Sequence, residues 1–328
     1  MLFFSKSKIS EPNKVFLRIF SPVNKGRELR VVTWDALTGE KIYVNDRINN
    51  RGKGTYHFGF EEERFGSIII DSRIFSVFLG PGCNLEFKVH SFLGDHSEVN
   101  HYLLRSNEIR KRSAPALKNL LQMSLEDFIH SIETLEKNYQ QFQEEELINI
   151  RDQNFHDILK THDKTRILTG VLAYIKRNFD PWDPVKMIPD QLKEYFLKIP
   201  LDAKYIRYAV PGYTTMIDIL HSPGLYLKRD FYQDPSVSDV EKNERLPLLY
   251  FDEIEKKQYS NELKEYLQHV NAKNWFSLFG INAGTDKLFQ QIRSNYGDSD
   301  YFPVLKKRYL ELSESRSGFG DGREKISS

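Results

Sequence analysis

Near Asn100 the spacing of apolar residues changes from every second position to every third and fourth. One period belongs to strands and the other to helices, so a single repeating element cannot run through the chain. From residue 14 to about 92 the runs KVFLRIF, ELRVVTW, EKIYVND, GTYHFGF, GSIIID, FSVFLG and NLEFKVH are short and rich in Val, Ile, Phe and Tyr. Between them stand Pro22, Asn24-Lys25-Gly26, Thr38-Gly39, Gly52-Lys53-Gly54 and Pro81-Gly82, turn formers because glycine permits positive φ and proline pre-sets φ. Short strands at turn intervals of roughly 8 to 12 residues predict an antiparallel sandwich or barrel-like domain.

After Asn100 the stretch SLEDFIHSIETLEKNYQQF places Leu125, Phe128, Ile132, Leu135, Tyr139 and Phe142 on one helical stripe, with Ser124 as its N-cap. Further helices are predicted at TRILTGVLAYIKRNF, PDQLKEYFLKI, AKYIRYAV, TTMIDIL, SNELKEYLQHV, TDKLFQQIRSN and FPVLKKRYLEL. Residues 221–250 carry loop signals instead, among them HSPG and QDPSVSD. The expected class is α+β, with an antiparallel β domain over 1–95, a helical domain over 96–315, and a flexible linker or tail over 316–328. A chain of 328 residues is long enough for two cores.

Charge narrows the partners. Lys and Arg total 47 against 46 for Asp and Glu, a net +1, which lacks the cationic excess of a general nucleic-acid binder. The densest basic run, Arg105 to Arg112, is broken by Glu108 and reads as a solvated helix face. No stretch approaches the roughly 18 uninterrupted apolar residues of a membrane span. The first apolar residues stop at Ser5, far short of a signal-peptide core; an exported protein would carry its signal or lipid anchor outside this chain.

The stretch VFLGPGCNLEFKVHSFLGDHSEVNHYL, residues 77 to 103, concentrates the residues with potential chemistry. Cys83 is the one cysteine, so no internal disulfide or CxxC pair exists; it is either a reactive thiol activated by His57 or His90, or a small apolar filler. His90, Asp95, His96 and His101 are imaginable metal ligands, but HxxxxxHxxxxH matches no compact ligand motif. His156 and His162 are six residues apart and fall on opposite helix faces. Two Glu triplets, at 61–63 and 144–146, read as solvated faces, and Gly52-Lys53-Gly54-Thr55 reads as a hairpin turn, without the first Gly or following helix of a P-loop. Trp182 in DPWDP and Trp275 in NWFSLF are the candidate contact aromatics for a ligand; core packing is the competing expectation. No cofactor is expected.

The succession FSVFLGPGCNLEFKV, Gly94, Asn100 and Tyr102-Leu103, with the glycine-aromatic strand GTYHFGF before it, resembles the N-terminal region of the periplasmic thioredoxin-like thiol-disulfide oxidoreductases of Bacteroidetes. The resemblance covers about residues 14 to 315 and implies a β domain, a helical region and a linker leading to a thioredoxin domain with a WCxxC site. This chain stops at GFGDGREKISS, about where that domain would begin, and the family turn carries an acidic residue where Cys83 stands. No catalytic residue is therefore carried over. The resemblance implies a non-catalytic recognition or positioning module in the periplasm or cell envelope, with a protein or thioredoxin-like domain as partner. A binding module for glycan, lipid or protein is the alternative, a hydrolase or metalloenzyme the third reading, and the cytoplasm the alternative compartment.

Overall fold

A computed structural model describes residues 13–35, 39–88, 91–113, 119, 121–179, 188–220 and 236–320. Strands come first and helices follow, so the class is α+β. The strands are β1 (Lys14–Phe20), β2 (Glu28–Asp35), β3 (Gly39–Arg47), β4 (Lys53–Gly59), β5 (Arg64–Ile70), β6 (Arg73–Leu79), β7 (Asn84–Lys88) and β8 (Ser91–Gly94). The first seven fall on the seven runs read from the sequence; β8, a four-residue edge, was not among them.

The strands form two four-stranded sheets, ordered β4-β1-β7-β8 and β3-β2-β5-β6. The pairing is antiparallel except between β1 and β7, which run parallel, a correction to the expectation of a purely antiparallel domain. Period-two burial explains the stack: Val15, Leu17 and Ile19 of β1 point to one face and are at most 2% exposed. They join Leu29 and Val31 of β2 and Phe87 of β7 in one buried cluster drawn from both sheets, which makes the domain a sandwich.

The turn from β8 into the helices depends on Gly94. Its φ is +97°, and a Cβ there would lie 2.1 Å from the Asn84 carbonyl oxygen of the neighbouring strand. Only glycine fits both constraints.

The helices are α1 (Ser97–Ser113), α2 (Leu125–Glu146), α3 (Asn154–Asn178), α4 (Asp190–Leu197), α5 (Lys204–Arg207), α6 (Tyr213–Leu220), α7 (Asp239–Lys256), α8 (Asn261–Phe279), α9 (Ala283–Tyr296) and α10 (Phe302–Gly320). In α2 the Ser124 side chain accepts from the Asp127 N–H, and Phe128, Ile132, Leu135, Tyr139 and Phe142 are buried, as the stripe required. Two elements depart from the sequence reading. Helix α7 begins at Asp239, inside the stretch that carried loop signals, with Ser238 as cap and Pro247 within it; burial of Leu246, Tyr250, Phe251 and Ile254 offsets the hydrogen bond that proline removes. Helix α10 runs to Gly320, five residues into the expected linker.

The chain divides into two compact units, residues 1–178 with 204–214, and residues 179–203 with 215–328. The first holds both sheets, α1 to α3 and α5; the second holds α4 and α7 to α10. The strand-to-helix change at residues 94–97 thus lies inside the first unit.

Candidate functional site

The corner from residue 77 to 103 resolves into separate structural tasks. Cys83 is 2% exposed and belongs to the sandwich core. Burial, and then the nearby Asp95 carboxylate, pushes its thiol up to about 12, against a lowering hydrogen bond from the Gly80 backbone. A thiol that stays protonated and inaccessible is neither nucleophile nor ligand.

The candidate ligands do not converge. Asp95 Oδ2 accepts the Asn84 N–H at 2.8 Å, closing the turn that Gly94 opens. His96, at φ +54°, lies with Nε2 3.6 Å from Glu63 Oε1. His101 Nε2 accepts the Phe92 N–H at 2.9 Å and so carries its proton on Nδ1. His90 lies outside the described residues, and among those described no group of three His, Cys, Asp or Glu side chains is placed to hold a metal ion.

Of the two candidate contact aromatics, Trp182 lies outside the described residues. Trp275 is 2% exposed, stands edge-on to Tyr250 and donates its Nε1–H to Asn271 Oδ1 at 2.7 Å. It is core, and the surface role considered for it is withdrawn.

Sequence reasoning missed a buried polar cluster in the first unit. Asp163 on α3 is fully buried. Its Oδ2 accepts from the Tyr102 hydroxyl of α1 at 2.5 Å and from Gln143 Nε2 of α2 at 3.1 Å. Its Oδ1 accepts from Ser106 Oγ at 2.5 Å and lies 3.2 Å from His162 Nδ1. Burial pushes the Tyr102 hydroxyl far up, with Asp163 adding to it, and pushes the His162 imidazolium down against the opposing pull of Asp163. His162 is therefore neutral, donates from Nδ1, and stacks on Phe65 of β5 at 5.4 Å and 6°. The pairing of His162 with Asp163 was visible in KTHDKT; the partners on α1 and α2, 57 to 61 residues away for Ser106 and Tyr102, were not. The cluster pins three helices together, and with Asp163, His162, Tyr102 and Ser106 all at most 2% exposed no substrate reaches it.

Asn100, read from the sequence only as the entry to the helices, has a bonding role that the sequence did not show. It sits in the first turns of α1, fully buried, and its side chain meets the outer edge of β6. Oδ1 accepts the Phe78 N–H at 2.6 Å and Nδ2 donates to the Phe78 carbonyl at 3.1 Å, as a neighbouring strand would. Strand β6 is the end of its sheet, so a single amide closes the ladder at Phe78.

Toward the N-terminal end of β6 the same edge is open. A groove of about 700 Å³ lies between β6 and α1. Phe75 and Leu104 supply apolar wall; Arg73, Arg105 and Lys111 supply three cations, with Glu108 as the one carboxylate. Arg105 pairs with Glu146, and Lys111 with Glu108 at 2.7 Å; Arg73 has no ionic partner among the described residues. Ile74, beside it, is 61% exposed. The groove thus combines apolar walls with a positive rim. No helix among the described residues is long and apolar enough to cross a membrane.

No family model, curated protein or solved structure matches the chain.

Proposed function

We propose that this chain is a non-catalytic recognition module that holds a protein segment for a thiol-disulfide oxidoreductase of the bacterial envelope. The observation that carries the binding half is the groove between β6 and α1, where apolar walls, a cationic rim and an exposed strand edge meet. The redox half rests on the order of strands, Pro-Gly turn, Gly94 and Asn100 described above, and the dithiol belongs to the partner. Cys83 supplies no electrons on this reading, because its thiol is buried and its ionisation is pushed up to about 12.

The test uses reduced, carboxymethylated lactalbumin, a permanently unfolded acidic chain. Fluorescence anisotropy is expected to show saturable binding, equal for the native protein and Cys83→Ala. A thioredoxin-like domain carrying WCxxC, added separately, is expected to reduce scrambled ribonuclease faster in the presence of the chain. Absence of binding, or a mixed disulfide at Cys83 in the mass spectrum, overturns the reading.

A further inference from the structure

We infer that the groove takes an extended, acidic peptide segment that adds to β6 as a strand, pairing with the backbone of Ile74. This deepens, and rests on, the recognition reading above.

The inference starts from alternation. In an antiparallel pair, residues that exchange hydrogen bonds with the partner strand alternate with residues whose N–H and C=O point away from it. Phe78 pairs with Phe65 across β5 and β6, and both Phe78 backbone groups go outward to Asn100. The Phe65 N–H likewise leaves the pair, donating to the Tyr208 carbonyl at 2.8 Å. Ile74 stands four residues before Phe78 and opposite Ile69, so its N–H and C=O point outward by the same alternation. Nothing among the described residues meets them. The protein thus carries an amide on the edge at Phe78 and leaves the equivalent pair at Ile74 bare, facing the groove.

An unpaired edge is ordinarily blunted by charge, proline or a covering element. Here α1 covers the edge at Asn100, yet the groove remains beside Arg73, Ile74 and Phe75. Strand addition satisfies the bare backbone groups whatever the peptide's sequence, and side-chain pockets then select among sequences. The selecting groups are the Phe75 and Leu104 walls, which suit alternate aliphatic side chains, and Arg73, Arg105 and Lys111, which suit carboxylates. Arg73 is the strongest selector, since Glu146 and Glu108 already partner the other two.

The probe is acetyl-Glu-Val-Glu-Val-Glu-Val-amide, compared with its Lys counterpart and with the same Glu peptide N-methylated at alternate residues. Hydrogen exchange read by NMR is expected to show the Ile74 amide exchanging fast in the free protein while Phe75 and Val77 are protected, and slowing about tenfold or more once the Glu peptide is bound. The double variant Arg73→Glu/Lys111→Glu, altered only at exposed positions, is expected to weaken binding about tenfold at low salt. N-methylation is expected to abolish it. Equal binding of the Lys peptide, or slow Ile74 exchange in the free protein, overturns the inference. Protection that rises with protein concentration and without peptide overturns it too, by making a second copy the occupant. Should lactalbumin bind while Ile74 stays unprotected, strand addition fails and the recognition reading stands; should neither probe bind, both fail.

Discussion

In the unit that contains the sheets, helices are placed by buried hydrogen bonds: Asp163 gathers Tyr102, Ser106, Gln143 and His162, and Asn100 fastens α1 to β6. In the other unit ring contacts take a larger share of the same task. Phe289 of α9 stacks on Tyr309 of α10 at 4.0 Å and 7°, and Trp275 of α8 stands edge-on to Tyr250 of α7 at 5.7 Å. Its close approach needs absence of a side chain: a Cβ on Gly284 would lie 2.2 Å from the Glu244 carbonyl oxygen, so α9 and α7 touch through backbone. Directed polar bonds are present there too: the fully buried Gln268 of α8 donates to the Phe251 carbonyl of α7 at 2.9 Å, and Tyr309 donates to Asp286 at 2.5 Å. The difference has a physical reason. A sheet edge has backbone groups of fixed direction to satisfy, and a directed side chain such as Asn100 does this at one register only, whereas helices packed on helices satisfy most of their own backbone groups and lean more on complementary shape.

The contrast is broken most forcefully at Asp163. Replacing it with Ala leaves the Tyr102 hydroxyl, Ser106 and His162 buried, and Gln143 partly buried, without their acceptor, and each buried polar group so orphaned costs about 1–3 kcal/mol. Urea unfolding of Asp163→Ala is expected to show that loss. Hydrogen exchange is expected to place it in α1, α2 and α3 and to leave α9 protected; equal loss in α9 would erase the distinction between the units.

Acid acts on a buried histidine in each unit. His269 of α8 is buried, and burial, with Lys273 adding to it, brings its imidazolium down to about 4 from 6.5. A depressed histidine is neutral in the folded state and takes up a proton on unfolding, so its contribution is complete above pH 6.5 and is lost as pH falls toward 4. The loss amounts to about 3 kcal/mol by linkage. His162 in the first unit shifts in the same direction. His269→Phe is expected to flatten the acid limb for α8 and α9 alone, as read by exchange between pH 4 and 6.5. An unchanged limb there would mean that another group carries it.

Much of the β domain was legible because period-two alternation and turn residues are local signals. The stripe of α2 and its Ser124 cap were legible for the same reason. What remained hidden depends on distant partners. Nothing in SEVNHY distinguishes Asn100 as the group that completes a strand edge, since Phe78 is 22 residues away. Helix α7 was hidden because Pro247 is a local stop signal that burial overrides. The groove is hidden for a further reason: an edge strand and an interior strand share one alternation, and only sheet order tells them apart.

Asn100 tests the directed bonds of the first unit on a smaller scale. Asn100→Ala leaves the Phe78 N–H and carbonyl unpaired in a buried place, at about 2–3 kcal/mol. Asn100→Asp keeps an acceptor for the N–H and supplies no donor for the carbonyl, so thermal unfolding is expected to rank native above both variants. If Ala and native melt together, α1 is held by packing and the first unit resembles the second.

The smallest effect belongs to the Trp275 indole N–H, a directed bond inside α8. Trp275→Phe keeps an aromatic ring against Phe279 and Tyr250 and removes the 2.7 Å bond to Asn271. The expected cost is about 1 kcal/mol, the net worth of one hydrogen bond; the contact from Asn271 Nδ2 to Gln268 Oε1 at 3.5 Å is untouched. Trp275→Ala removes the ring as well and is expected to cost about 3–5 kcal/mol. The ratio decides the matter: a Phe variant as damaged as the Ala variant would show that the indole N–H bond to Asn271 of the same helix, not ring packing against Tyr250, carries the contribution of Trp275.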